Sequence, residues 1–561
     1  MEPQFAQVSL PPLPCAPTAW ERVLYVGANN RLLSVTQLIG WLGLSAALFL
    51  FSLNSIWLFP FMLWALLGIA YFSLGYLANT TFRRFDLAEH DRLVAEQRQR
   101  PSPSIDVFLP NCGEELAVLE NTFAHVASLE QTGRVRVYCL DDAGRPEVEQ
   151  LARRFGFVYL SRPNKGEFKK AGNLRHAYLR SDGDFIVVFD ADFCPRPDFL
   201  AELVPYALLD ASVGIVQSPQ YFRVGPGRNW LENGAGSVQE FFYRWVMPAR
   251  DVHRSPICVG TNAIYRRSAL DETDGGALVD NSEDVHTGFD LMCKGYRTKY
   301  VPVILAAGLC PNTLHAFFNQ QHRWCSGSMS LLFSRKFWHE PIGLRARLTF
   351  LSGMTYFLYT ALAVIFAPLP APLMVCLFPG KVLWWNYLLL LPALLQTFVF
   401  LPLWHRAPYG FAAMRTKIVY AWAHLFAFRD RLARRPVAWS PTGGPDGGTS
   451  RRLRLVKRLI VAWPLATLSL VVAGSAAHMS SAVDLDYWPP LAASTLYTLA
   501  AVLTLQPLVR TVGAQSRKLL GHQLPAAPNL SPGPFAHLTA AMSTPAGELH
   551  ADQPGRSDLR S

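Results

Sequence analysis

Charged residues are scarce in this 561-residue chain. They make up only 17% of it, while half is hydrophobic and the mean hydropathy is positive. Soluble domains carry about a quarter charged residues, so a wholly soluble protein is excluded. Metal-binding and redox cysteine patterns are missing too. The nine cysteines form no CxxC pair, which excludes zinc ribbons and thioredoxin-type chemistry. Most of them fall in a polar middle segment, and reduced thiols on the cytosolic side are expected there. No cleavable signal peptide is apparent, because the first apolar run starts behind a proline-rich polar tail. There is no internal repeat. Acids are fewer than bases, 41 against 52, for a net charge of +11. The basic residues adjoin apolar runs instead of lining one soluble face, which predicts a lipid bilayer as partner and no nucleic acid.

The apolar runs are long enough to cross a bilayer, which takes about 20 residues in a helix. Val35–Leu53 and Ile56–Leu77 form a close pair. Leu348–Ala367, Leu383–Leu403, Leu455–Ala476 and Trp488–Val509 follow a long polar stretch, for about six spans. Pro370–Phe378 is too short to cross alone and reads as a loop or re-entrant piece. Arg22, Arg31, Arg84, Arg345, Arg347 and the basic stretch His405–Arg458 mark the inner side. This predicts a multi-pass protein of the plasma (inner) membrane, with the middle domain cytoplasmic. Thr313–Arg335 and Tyr409–Arg435 read as amphipathic helices, either interfacial or packed on the middle domain.

From Ser104 the text alternates buried-strand runs ("SIDVFLP", "RVRVYCLDD", "GFVYL", "DFIVVFDAD") with helical stretches. That alternation predicts a parallel sheet with helices on both faces, and ligands beyond the strands' carboxyl ends. Acids stand at those ends. Asp190 and Asp192 follow an unbroken apolar strand and suit a shared Mg2+ or Mn2+, which takes one or two carboxylates plus phosphate oxygens; an exposed turn is the plainer account. Asp141 and Asp142 suit hydrogen bonds from a base or ribose, or else a turn ahead of Gly144. Glu283 and Asp284 open a helix, as a general base or as N-terminal charge. Gln320, Arg323 and Trp324 combine a diphosphate-binding fork with a flat face for a sugar.

Taken in order, Asp-Asp, Asp-x-Asp, Ser-Glu-Asp and Gln-x-x-Arg-Trp followed by spans resemble the processive family 2 glycosyltransferases of the cellulose synthase-like branch. "FKKAGNLRHA", "GIVQSPQYF" and "VGTNAIYRR" resemble further segments of that family. The resemblance covers roughly Ile105–Phe333. It implies an α/β GT-A (Rossmann-like) domain inserted in an α-helical membrane domain, and an inverting transfer of a sugar, glucose first, from a UDP-sugar. The acceptor would be the non-reducing end of a growing β-glucan, extruded through the membrane. Asp284 would be the base, and Asp190 and Asp192 the metal ligands. Asp141, Asp142, Lys170, Asp190 and Arg323 would bind donor, and Gln320 and Trp324 acceptor. A periplasmic or export partner is also implied. The alternatives are a non-processive transferase acting on a lipid carrier and a synthase of another polymer, chitin-like or glucan.

This sequence departs from the family at Cys112, where an aromatic is usual, at Phe193, at Ser282 in place of Thr, and at Val259. No PilZ barrel is expected. "RRPVAWSPTGGPDGG" lies where the family has a gating loop, with Trp439 and Thr442 as its candidates, and equally suits a linker. The plan is a tail over 1–32, two spans over 33–78, the catalytic domain with an interfacial helix over 84–340 and two spans over 341–404. An interfacial helix and loop over 405–454, two spans over 455–510 and a tail over 511–561 complete it.

Overall fold

The structure, a computed structural model, describes residues 13–504 except 28–29, 80–83, 131–132, 226–227, 383, 408, 436–450 and 480–487. Trp439 and Thr442 therefore lie outside the described residues. The middle of the chain is built on a seven-stranded sheet. Its strands are β1 (Ile105–Asn111), β2 (Val135–Asp141), β3 (Val158–Leu160), β4 (Phe185–Val188), β6 (Val213–Gln217), β7 (Ala263–Arg266) and β8 (Arg297–Tyr300), in the order β3-β2-β1-β4-β7-β6-β8. A second sheet pairs β5 (Phe193–Pro195) with β9 (Ala306–Gly308).

The central strands are apolar throughout because both faces are covered. Val107, Leu109 and Val187 point into one core with Leu119, Phe123, Phe199 and Leu203. Phe108, Ile186 and Val188 point into the other with Ala177, Tyr265 and Leu270. The period-2 alternation of the strand sends neighbours to opposite layers, so each core receives every second residue.

The sheet is mixed, not wholly parallel. β7 runs antiparallel to both β4 and β6. The chain re-enters at 260–262, at the edge where β4 and β6 end, and can only pair by running back. Gly260 (φ 74°) and Asn262 (φ 54°) supply the left-handed conformations of that reversal.

Among the described residues five helices are long and apolar enough to cross a membrane: Arg31–Ser52, Ile56–Asn79, Leu344–Leu377, Tyr387–Trp404 and Arg451–Ala477. Helix Trp488–Thr504 ends where the described residues end. Pro370–Leu377 is helical and packs through Val375 against Val471. The sequence gives no signal for this contact, since periodicity cannot show which helix lies opposite. Helices Leu314–Leu332 and Phe411–Leu432 pack on each other in one core, through Phe318 and Phe426.

The proline-rich segment after residue 12 does not stand free of the sheet domain. It lies along the sheet domain, where its carbonyls accept side-chain donors. Asn121 Nδ2 reaches the Pro14 carbonyl at 2.7 Å, and Arg196 Nη1 reaches Pro17 at 2.7 Å. Arg223 then grips Glu21 at 2.7 and 2.8 Å. Further on, buried Glu240 ties the domain to the chain after Trp404. It accepts from Arg244 (2.6 Å), the Arg406 amide (2.8 Å) and the Tyr409 hydroxyl (2.7 Å).

Candidate active site

β2 ends on Asp141, whose carboxylate turns back on its own loop. It accepts from the amides of Ala143 (3.1 Å) and Arg145 (2.6 Å) and from the Tyr159 hydroxyl (3.1 Å). Asp142 is held by the buried guanidinium of Arg162, at 2.5 and 2.8 Å, and by the Gly166 amide at 3.2 Å. Both acids, expected to face a base or ribose, are here engaged by protein donors. Arg162 also donates to the carbonyls of Glu167 (2.5 Å) and Lys169 (3.1 Å), so the pair anchors the chain that leads to Lys170. Side-chain exposures of 1% and 4% decide its energetic weight. Breaking one partner of a buried pair strands the other charge, at about 3–5 kcal/mol. Arg162→Met is accordingly expected to lower the melting temperature sharply; a shift of under a degree or two would show the pair to be ornamental.

β4 carries the chain to Asp190 and Asp192. The Asp190 amide donates to Thr261 Oγ1 at 2.9 Å, which fixes the loop to the Gly260 reversal. Lys170 Nζ forms an ion pair with Asp190 Oδ1 and donates to the Gly260 carbonyl at 2.8 Å. Glu283 lies 3.8 Å from the same ammonium. Burial works against that charge, but Asp190, Glu283 and Asp284 hold the lysine above its usual range. Burial, with Asp190 and Glu114 beside it, pushes the Asp192 carboxyl well above the ordinary carboxylate range. Among the described residues no group of three or more His, Cys, Asp or Glu converges on one cation position.

Asp284 stands in the first turn of helix Glu283–Cys293. Burial and the neighbouring Glu283 push its carboxyl up to about 7, against the pull of Lys170. Arg323 projects from helix Leu314–Leu332 towards Asp190, Glu283, Asp192 and Asp284; burial lowers its pKa and these acids offset part of the loss. Gln320, Arg323 and Trp324 stand at i, i+3 and i+4 and share one helix face. Gln320 is buried, while Arg323 and Trp324 are half-buried. One cleft edge thus gathers Lys170, Asp190, Asp192, Asp284 and Arg323.

Residues 185–414, which include both Asp-x-Asp and Gln-x-x-Arg-Trp, match the family described as Glycosyl transferase family group 2. Cellulose synthase 1 of Komagataeibacter xylinus is 32% identical over 273 residues, 48% of this chain and 18% of that protein. The UDP-forming cellulose synthase catalytic subunit of Xanthomonas axonopodis pv. citri is 32% identical over 267 residues, 46% and 36%. That of Pseudomonas fluorescens is 32% identical over 289 residues, 50% and 38%.

The chain is similar to family 2 glycosyltransferases of the cellulose synthase group over about half of its length.

It spans well under half the length of these relatives. The matched region includes most of the mixed sheet, with the acids at one of its edges. A mannosyltransferase from Pyrobaculum calidifontis in complex with GDP-Man and Mn2+ aligns at a TM-score of 0.44 and 17% identity, covering 66% of this chain and 99% of that one.

The site also contains residues that the sequence motifs do not mark. Glu114, two residues beyond Cys112 after β1, is half-buried, and desolvation with Asp190 nearby raises its carboxyl. The Cys112 amide donates to it at 2.5 Å. An acid just past a strand end was the available signal. Arg162 and Thr261 gave none, since their importance lies in contacts distant along the chain.

Proposed function

We propose that this glycosyltransferase moves a sugar, glucose first, from a UDP-sugar to the non-reducing end of a β-glucan, with inversion, and passes the polymer through its own spans. The observation that carries this reading is Asp284. Its carboxyl, raised to about 7, is matched to taking a proton at neutral pH, and it stands beside the helix bearing Arg323 and Trp324. Inversion in one step needs a base and a stabilised leaving group, and no protein nucleophile.

In this reading Asp284 removes the proton of the acceptor hydroxyl as the sugar carbon–oxygen bond forms. Arg323 and Lys170 receive the charge that develops on the departing diphosphate. Trp324 stacks on the acceptor sugar, with Gln320 below it in the same helix face. Asp141, Asp142 and Arg162 shape the wall against which the nucleoside is bound. Asp190 and Asp192 fit a divalent cation, Mg2+ or Mn2+, because crowding of acids around Asp192 is what a dication relieves. When bound, that ion would neutralise the diphosphate. The same reading places the catalytic domain in the cytoplasm, where nucleotide sugars are made, with the spans in the inner membrane.

The decisive experiment offers a panel of UDP-sugars to protein reconstituted in proteoliposomes, with UDP release and product linkage measured. UDP release with UDP-glucose and a long β-linked product is expected. A single sugar on a lipid would establish the non-processive alternative, and silence with every UDP-sugar would overturn both. Trp324→Ala is expected to shorten the polymer while sparing donor hydrolysis, read as product length on a gel.

A further inference from the structure

Asp284 and the turn that precedes it are confined by glycines on two sides. On one side stands Gly260, in its left-handed conformation. A β-carbon there would lie 2.9 Å from Asp284 Oδ2 and 3.0 Å from Asp284 Cβ, closer than side chains normally approach. The carbonyl of this same residue receives Lys170 Nζ at 2.8 Å. On the other side Gly327 of helix Leu314–Leu332 faces Ser282, two residues before Asp284. A β-carbon at 327 would overlap both Oγ and Cβ of Ser282. Gly327 stands seven residues after Gln320 and three after Trp324, so it lies on the same helix face as the candidate acceptor residues.

Ser282 is itself unusual. It adopts φ 57°, ψ 43°, a left-handed conformation that serine seldom takes, and its side chain makes no capping hydrogen bond to the helix it precedes. The start of the base helix is therefore set by packing against Gly327 and not by a cap. We infer that Gly260 and Gly327 are positioning residues that together set the Asp284 carboxylate at a fixed distance from the acceptor-binding face of helix Leu314–Leu332. This rests on Asp284 being the base.

The contact has room to yield. A cavity of about 880 Å³ borders it, lined by Asn281, His286, Ser326, Gly327 and Ser330 among others. A methyl at 327 would thus displace the turn at 281–284 instead of unfolding the domain. Misplacing a catalytic group by about 1 Å costs on the order of 10²-fold in rate.

The test uses full-length protein in proteoliposomes, as Gly327→Ala, Ser282→Gly and the double variant, with kcat, KM for the UDP-sugar and UDP binding measured. Gly327→Ala is expected to lower kcat about 10²-fold with KM changed little. Adding Ser282→Gly removes the opposing side chain and suits the left-handed backbone. The double variant should then return to within about fivefold of Ser282→Gly alone, a separation that non-interacting sites would not show. Gly260→Ala should lose activity in the same way and gain nothing from Ser282→Gly, because it presses on Asp284 from the other side. Full activity in Gly327→Ala overturns the inference. So does a double variant no better than Gly327→Ala, whether that variant folds or not. A wild type that releases no UDP overturns this and the proposed function together; an active wild type with a failed rescue overturns this inference alone.

Discussion

Asp284→Asn is expected to abolish sugar transfer, leave UDP-sugar binding intact and make the metal-free protein more stable at pH 8. General-base removal costs about 10²–10⁴-fold, and asparagine keeps the shape of the side chain while losing its proton affinity. The stability effect follows from linkage. The folded pKa of Asp284 is pushed up to about 7, above the 3.8 of an unburied aspartate. Its contribution is fully present below about pH 4, where both states are protonated, and is lost as pH rises through 7, where the folded protein must hold a charge that its surroundings disfavour. Asparagine never ionises, so its advantage should be seen at pH 8 and vanish near pH 4. The same value predicts an acid limb in kcat/KM of the wild type, activity falling as pH drops through about 7. Equal melting temperatures for the two proteins at pH 8, together with retained transfer in the variant, would remove Asp284 from the base role.

The acids of this site are thereby divided by environment. Burial and Glu283 raise Asp284, while Lys170 is pinned between Asp190 and the Gly260 carbonyl. One ammonium thus ties the Asp-x-Asp loop, the Gly260 reversal and the start of helix Glu283–Cys293 into one electrostatic unit. Neighbouring carboxylates whose environments differ can take different tasks at one pH. Arg323 completes the unit from a helix that belongs neither to the sheet nor to the spans.

Much of this was legible because it is local. Unbroken apolar runs ending in acids can only be buried strands delivering carboxylates to a sheet edge, and "FIVVFDAD" places Asp190 and Asp192 there as read. Gln320, Arg323 and Trp324 share a face because helical spacing requires it. The antiparallel β7 was not legible, since strand direction depends on where the chain re-enters the sheet, and the helices between β6 and β7 hide that point. The grip of Arg162 on Asp142, and of the Pro14–Glu21 segment on Asn121, Arg196 and Arg223, join residues distant in sequence. Composition marks that segment only as a proline-rich polar tail. It is held by hydrogen bonds from side chains elsewhere.

Asp192→Asn is expected to remove the protein's response to divalent cations. In the metal-free protein Asp192 is crowded by Asp190 and Glu114 in a buried setting that raises its carboxyl, so a proton and a dication compete for the same place. Mg2+ or Mn2+ should therefore bind more tightly as pH rises. It should also raise the melting temperature by the free energy of binding to the folded state, about 2.7 kcal/mol at a hundredfold excess over Kd. The variant removes the repulsion that the cation relieves and one of the two oxygen donors that would hold it. Three results should follow together. The cation-dependent rise in melting temperature disappears, cation no longer tightens UDP binding by calorimetry, and transfer falls on the order of 10²–10³-fold because the departing diphosphate loses its main source of positive charge. Arg323 and Lys170 remain, so weak cation-independent UDP binding should persist and shows that the variant is folded. Chelation with EDTA should bring the wild type down to the same floor and leave Asp192→Asn where it was. A variant that still gains thermal stability from Mn2+, or a wild type that transfers sugar at full rate in EDTA, would place the cation elsewhere or dispense with it.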